Sequence, residues 1–101
     1  MKKFLFVVYG PAADSEAERS AGMAEMAAWY GSLGKALLDP GAPFVAATTV
    51  SANGTDDPIG PNATGYNFVQ ADSLQAAVAL AQGCPLLKHG RKLTVFETLN
   101  M

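Results

Sequence analysis

His89 is the single histidine of the chain, and histidine is the side chain whose unperturbed pKa lies near neutrality. A general base of this kind needs a proton donor within hydrogen-bond reach, and a carboxylate often orients it. Asp39 and Asp72 are the carboxylates we consider as partners, although no sequence spacing ties either of them to His89. Two interpretations stay open: a general base that reaches a cavity, or a solvated histidine in the basic segment 88–92.

Cys84 and the pair Asp56 and Asp57 are the other side chains with reactive or ligating groups. Cys84 follows a predicted helix, and the negative end of a helix dipole disfavours a thiolate, so we expect a buried packing residue. One cysteine excludes an internal disulfide and a cysteine-based zinc site. Adjacent residues of an extended chain point apart, so we interpret Asp56 and Asp57 as a solvated loop tip. We predict neither a metal nor a cofactor.

Apolar residues that could line a pocket recur along the predicted strands and helices. Aromatic and methionine side chains at such spacing also serve as core, so both interpretations are kept. A pocket of this kind binds small organic molecules when a few hydroxyl groups orient them. The predicted ligand-binding residues are Tyr9, Met23, Thr48, Thr49 and Tyr66.

The composition narrows the class of protein. The 101 residues, half of them apolar, predict one domain over residues 1–101 with a real core. Seven basic and nine acidic side chains, a net charge of −2, do not form the basic face that nucleic acid requires. No stretch is long enough to span a membrane, and the apolar run 4–9 is too short for a signal peptide. We therefore expect a cytoplasmic protein.

Hydrophobic periodicity and turn residues predict six elements. The first helix starts with a capping box formed by Ser15 and Glu18, and Asp72 is the predicted cap of the second helix. Asn53-Gly54 indicates a turn. The predicted order is strand 4–9, a helix from 15 to at least 30 with its pattern continuing to 38, strand 44–51, strand 65–71, a helix after 72 that ends at 83–85, and strand 93–99.

This order predicts an α+β, ferredoxin-like βαββαβ fold: a four-stranded antiparallel sheet with both helices on one face and the first and third strands in the centre. Phe4, Phe6 and Val8 would point to one face of the first strand, and Leu5, Val7 and Tyr9 to the other. The uncovered face would be a large apolar patch. A second copy related by a two-fold axis would cover it, which predicts a homodimer in the form of a dimeric α+β barrel.

Short motifs occur over nearly the whole chain: Tyr9-Gly10, Trp29, Ala47-Thr48-Thr49-Val50, Gly65-Tyr66, Ala71-Asp72-Ser73-Leu74, Ala76-Ala77 and Cys84-Pro85. Together they resemble the YCII-related domain family, in particular its DGPF-type branch. The resemblance implies the same dimeric α+β barrel. Some members carry a proposed catalytic pair, a histidine in helix one and an aspartate before the proline after helix two. In this sequence the histidine position falls at Gly22 or Met23, and the aspartate position falls at Cys84. Neither residue of the proposed pair is therefore matched. The name-giving loop of that branch would fall near Asp57-Pro58-Ile59.

Three functions follow from these observations and stay open. The first is a small-molecule-binding dimer of the YCII-related type. The second is a cofactor-independent enzyme with lyase, dehydrochlorinase or oxygenase-like chemistry on a small organic substrate, which requires His89 beside a carboxylate in a cavity. The third is a structural interaction module that uses its sheet face.

Overall fold

The fold is α+β in a computed structural model that describes residues 1–11, 15–59 and 62–99. Single turns of 3₁₀ helix at Gly34–Ala36 and Pro85–His89 follow the two α-helices. No helix in the described ranges is long and apolar enough to cross a membrane. The elements are β1 (Lys2–Tyr9), α1 (Glu16–Leu33), β2 (Leu37–Asp39), β3 (Thr49–Ser51), β4 (Gly54–Asp56), β5 (Ala63–Ala71), α2 (Leu74–Ala81) and β6 (Lys92–Glu97).

The main sheet has four antiparallel strands in the order β2-β5-β1-β6. The two long strands β1 and β5 therefore lie in the centre, as the sequence predicts for its first and third strands. The order of strands and helices is compatible with a ferredoxin-like fold.

One face of this sheet carries the core. Phe4 and Phe6 are fully buried and Val8 nearly so, which confirms the predicted orientation of β1. The Phe6 ring stacks on Trp29 of α1 at a centroid distance of 6.3 Å. Ala77 of α2 joins the same buried cluster. Both helices therefore cover this face, as predicted.

Helix α1 begins where the sequence predicts, because the Ser15 Oγ accepts a hydrogen bond from the Glu18 amide at 3.1 Å. Its apolar side faces the core: Trp29 and Leu33, four residues apart, are buried, and Met26 and Tyr30 pack against the same core cluster. Met23, a predicted pocket residue, is 73% exposed and lies outside this apolar side.

The second strand of the sheet is the main correction. The sequence predicts it at 44–51, but the edge strand is β2, and Leu37 pairs with Val69. Gly34, with φ +55°, ends the helix one turn before Leu37. Leu33 and Leu37 are four residues apart, which is the spacing expected within one helix. In the structure Leu33 ends α1 and Leu37 begins β2, so periodicity alone assigns this segment wrongly.

The chain then makes a separate hairpin. Strands β3 and β4 pair with each other through Val50 and Thr55 and form their own two-stranded sheet. Its two-residue loop is Ala52-Asn53, one residue before the predicted Asn53-Gly54 turn. The loop predicted beyond it includes Gly60 and Pro61, which lie outside the described residues. Residues 45–59, which contain this hairpin, are called the arm below.

Helix α2 is capped by Ser73 and not by Asp72, because the Ser73 Oγ accepts from the Ala76 amide at 3.1 Å. Ala77 and Ala81 of the predicted stripe are buried, while Leu74 and Val78 are partly exposed. The small buried alanines let α2 lie close to the sheet.

Candidate functional site

The second face of the main sheet is not covered by either helix. Directly opposed residues of antiparallel strands share a face, and the pairs Leu5–Phe68 and Val7–Tyr66 therefore lie together on it. Phe96 pairs with Leu5 from the other side and is exposed. This surface, called the open face below, consists of Lys3, Leu5, Val7, Tyr9, Tyr66, Phe68, Gln70, Lys92, Thr94 and Phe96, with Asp39 at the β2 edge opposite Phe68.

Aromatic rings are grouped at one side of the open face. Phe44 stacks on Tyr66 at 5.7 Å between ring centroids, and Phe68 meets Tyr66 edge-on at 6.0 Å. The Lys3 ammonium lies 4.4 Å from the centre of the Phe68 ring. Flat rings with one nearby cation form a surface suited to planar apolar molecules or to another apolar protein surface.

The turn before Phe44 is fitted closely to this ring cluster. Gly41 has φ +66°, and a side-chain carbon there would come within 1.9 Å of the Tyr66 carbonyl oxygen. The Asp39 Oδ1 accepts a hydrogen bond from the Gly41 amide at 2.8 Å. Asp39 thus holds the turn that places Phe44 on Tyr66.

The structure brings two of the five predicted ligand-binding residues together on the open face, Tyr9 and Tyr66. Thr48 and Thr49 belong to the arm, where the Thr48 hydroxyl donates to the Asp56 carbonyl at 3.1 Å. Met23 lies on α1, which covers the other side of the sheet. Alternation along the first strand predicted the face of Tyr9, and the register of β5 with β1 places Tyr66 on the same face. The threonines were predicted in a strand of the main sheet, but they lie in the arm.

His89 lies at the end of the second 3₁₀ turn, on the side of the helices. Its Nε2 is 3.1 Å from the Glu25 Oε1 of α1, and both side chains are open to solvent, at 49% and 34% exposure. Asp39 is engaged with Gly41, and Asp72 is an exposed residue before α2. The contact with Glu25 joins residues 64 positions apart in sequence, and sequence reasoning missed it because no local spacing records it.

A cleft of about 340 Å³ adjoins this histidine–glutamate pair. Glu25, Trp29, Ser32 and Lys88 contribute to its wall, and the Trp29 Nε1 faces Gly83. Glu25 and Lys88 therefore line this cleft together with Trp29, and His89 lies next to it through its contact with Glu25.

Cys84 is buried beside this cleft, with 2% of its surface exposed. Burial raises the pKa of the thiol, against the smaller opposing effects of the Leu86 and Leu87 amides and the Arg91 charge. Burial also raises the pKa of Tyr30, and the nearby thiolate form of Cys84 adds to that shift. A buried, protonated thiol is a packing group, as the sequence predicts, and not a nucleophile.

Two other observations bear on chemistry. An apolar groove of about 400 Å³ runs between α2 and β6 and is lined mainly by aliphatic residues such as Leu74, Val78 and Leu93, without an ionisable group. Within the described ranges, no three His, Cys, Asp or Glu side chains are grouped so as to hold a metal ion.

Comparison with known proteins finds no relative of this chain: no protein-family model, no curated protein and no solved structure matches it. The function is therefore inferred from the fold, the open face and the cleft beside His89 and Glu25.

Proposed function

We propose that this protein is a homodimer that binds a small, planar organic molecule between two open faces. The observation that carries the proposal is the open face itself: Leu5, Val7, Phe68 and Phe96 lie on one side of the sheet without a covering helix. Packing the same face of a second copy against it, about a two-fold axis, would remove this apolar area from water. The product would be a dimeric α+β barrel.

The side chains of the open face suggest the class of ligand. The stacked rings of Phe44 and Tyr66 favour an aromatic or otherwise flat molecule. Hydroxyl groups of Tyr9 and Tyr66 and the ammonium of Lys3 are the polar groups that would orient it. The resemblance to the YCII-related family supports the same barrel, and we propose membership of that family without its histidine–aspartate pair.

Sedimentation velocity at micromolar concentration tests the dimer. We expect wild type to sediment as a dimer, and the double variant Leu5→Asp/Val7→Asp to be a folded monomer, because four carboxylates would meet in a two-fold interface. Ser20→Asp, which adds a carboxylate to an exposed position of α1, is the matched control and should remain dimeric. A wild-type protein that stays monomeric at this concentration contradicts the proposal.

A crystal structure of the untreated protein tests the ligand. We expect density between the two sheets next to Tyr66. A tightly packed interface with no void would remove the ligand and leave the interaction module as the function of the open face.

A second function, a cofactor-independent enzyme, is favoured by the contact between His89 and Glu25 at the edge of the cleft. Glu25 would orient the imidazole, and His89 would take a proton from a small organic substrate against the Trp29 wall. Density in this cleft, and not between the sheets, would favour the enzyme. Any turnover should then fall at least about 100-fold in folded His89→Gln, in line with general-base catalysis. Equal turnover in His89→Gln and wild type would contradict it.

A further inference from the structure

The arm extends from the domain with its apolar side chains in water. Val45 is 97% exposed, Val50 72% and Ile59 84%. The arm's strands pair with each other and add nothing to the main sheet. Scattered exposed apolar residues are ordinary, but here Val50 lies in the hairpin and Val45 and Ile59 flank it, which makes the arm a candidate for contact with a partner.

The arm and the long strands of the open face carry charged side chains of opposite sign. The arm contains Asp56 and Asp57 and no basic residue. The open face carries Lys3 and Lys92 on its long strands, and its one acidic residue is Asp39 at the β2 edge, opposite Phe68, whose carboxylate accepts a hydrogen bond from the Gly41 amide. The ion pairs between described residues are Lys2–Glu97 and His89–Glu25, so Asp56, Asp57, Lys3 and Lys92 form no ion pair with another described residue.

The arm also leaves the domain directly from the edge of the open face. Phe44, the residue before it, stacks on Tyr66, and the Phe44 amide donates to the Thr64 carbonyl at 2.8 Å. Seven extended residues span about 20 Å, so the arm is long enough to reach across a second copy seated on that face. The chain therefore places an acidic arm with exposed apolar side chains next to the open face, whose long strands carry basic and apolar side chains.

From these observations we propose that the arm of each protomer clasps the second copy of a face-to-face dimer. Val45, Val50 and Ile59 pack on the partner, while Asp56 and Asp57 approach the Lys3 and Lys92 side chains of that second copy. Two-fold symmetry gives two identical clasps. This inference rests on the dimer proposed above, and it assigns the arm a role separate from that of the open face.

The apolar part is tested with Val50→Ser/Ile59→Ser. The change should leave the melting temperature of the isolated protomer unchanged, because the arm does not pack on its own domain, and should weaken the dimer about 10- to 100-fold, as loss of two interface anchors does. Sedimentation equilibrium over a concentration series measures the dissociation constant. Thr55→Ser, in the same hairpin, is the matched control and should change the constant less than twofold.

Charge reversal tests the pairing itself. Asp56→Lys/Asp57→Lys and Lys3→Glu/Lys92→Glu should each weaken the dimer several-fold in low salt, and the combination of all four changes should restore it to within about twofold of wild type. Glu16→Lys, on exposed α1, is the control for an unrelated reversal. No recovery in the combined variant contradicts the pairing.

The outcomes separate the two proposals. A dimer that is lost in Leu5→Asp/Val7→Asp but unchanged in every arm variant would overturn the clasp and leave the face-to-face dimer intact. A wild-type monomer at all concentrations would overturn both.

Discussion

Asn67 puts a primary amide in the core, opposite Phe6 in the sheet register. The side chain is 1% exposed, and its Nδ2 has no hydrogen-bond partner among the described residues. A buried donor without a partner costs about 1–3 kcal/mol. Leucine has a similar volume and no polar atom, so Asn67→Leu should raise the free energy of unfolding by about 1 kcal/mol.

Urea unfolding followed by circular dichroism measures this change. Asn67→Asp is the control, because it keeps the shape and buries a carboxylate, and it should lower stability. A loss of stability in Asn67→Leu would show that the amide is satisfied, for example by an internal water.

Ionisation of the Cys84 thiol makes the free energy of unfolding depend on pH in the alkaline range. Burial raises the pKa of its thiol in the folded state, so the unfolded state ionises first as pH rises and binds fewer protons. The stabilising contribution is complete below the unfolded thiol pKa of about 8.5 and is lost as pH rises through the folded pKa. Between pH 7 and pH 10, wild type should therefore lose more stability than Cys84→Ala.

The comparison of slopes is the measurement, because Cys84→Ala also loses packing and starts from a lower stability. Tyr30 shifts in the same direction, so part of the decline should persist in the variant. Parallel pH profiles for the two proteins would contradict the effect of burial on Cys84.

The two helices depend on serine caps at matching positions, Ser15 and Ser73. Replacing either serine by alanine leaves an amide of the first turn without an acceptor and should cost about 1 kcal/mol of unfolding free energy. Ser20, exposed inside α1, is the matched control: alanine there should be neutral or slightly stabilising. If Ser73→Ala has no effect while Asp72→Ala does, the cap of α2 is the aspartate that the sequence suggested.

Elements with one strong local signal were predictable from sequence. The run of apolar residues in β1 gave its position and both of its faces, and Ser15 gave the start of α1. The misplaced parts are those in which two neighbouring choices fit equally well. Asp72 and Ser73 are both good caps, and Leu37 continues either a helix or a strand. A three-residue edge strand such as β2 is too short to show a period.

The candidate sites also differ in how far the sequence predicts them. The face of Tyr9 follows from strand alternation, whereas Tyr66 shares that face because of the pairing register between β1 and β5, which the sequence does not state. The partnership of His89 with Glu25 depends on how α1 lies against the segment after α2, and the cleft beside them depends on the same packing. Such contacts between distant segments are set by tertiary structure, which no local pattern encodes.

The protomer is a thin two-layer slab, 40 × 40 × 19 Å, in which one face of the main sheet packs against the helices and the other is not covered by a helix. Phe6→Asp would bury an unpaired carboxylate among the helices and should abolish folding. Leu5→Asp, one residue away, points to the open face and should leave the protomer folded. Circular dichroism and thermal melting of the two variants make the comparison.

A folded Phe6→Asp protein would show that the helices do not cover this face.

The 19 Å thickness of the protomer also bears on assembly. A second protomer stacked on the open face would roughly double this thickness and give a particle of nearly equal dimensions. Little apolar surface of the sheet would then remain in contact with water.

Trp29, the single tryptophan, gives the protein an internal optical reporter. Its ring stacks on Phe6, contacts Tyr30 and faces Gly83, so it touches the sheet, α1 and the segment after α2 at once. Its fluorescence should be blue-shifted in the native state and should shift to red when the helix layer lifts from the sheet. Because the indole is on the far side of the sheet from the open face, separation of two protomers should leave the emission maximum unchanged, and dissociation and unfolding could be followed in one sample as distinct events.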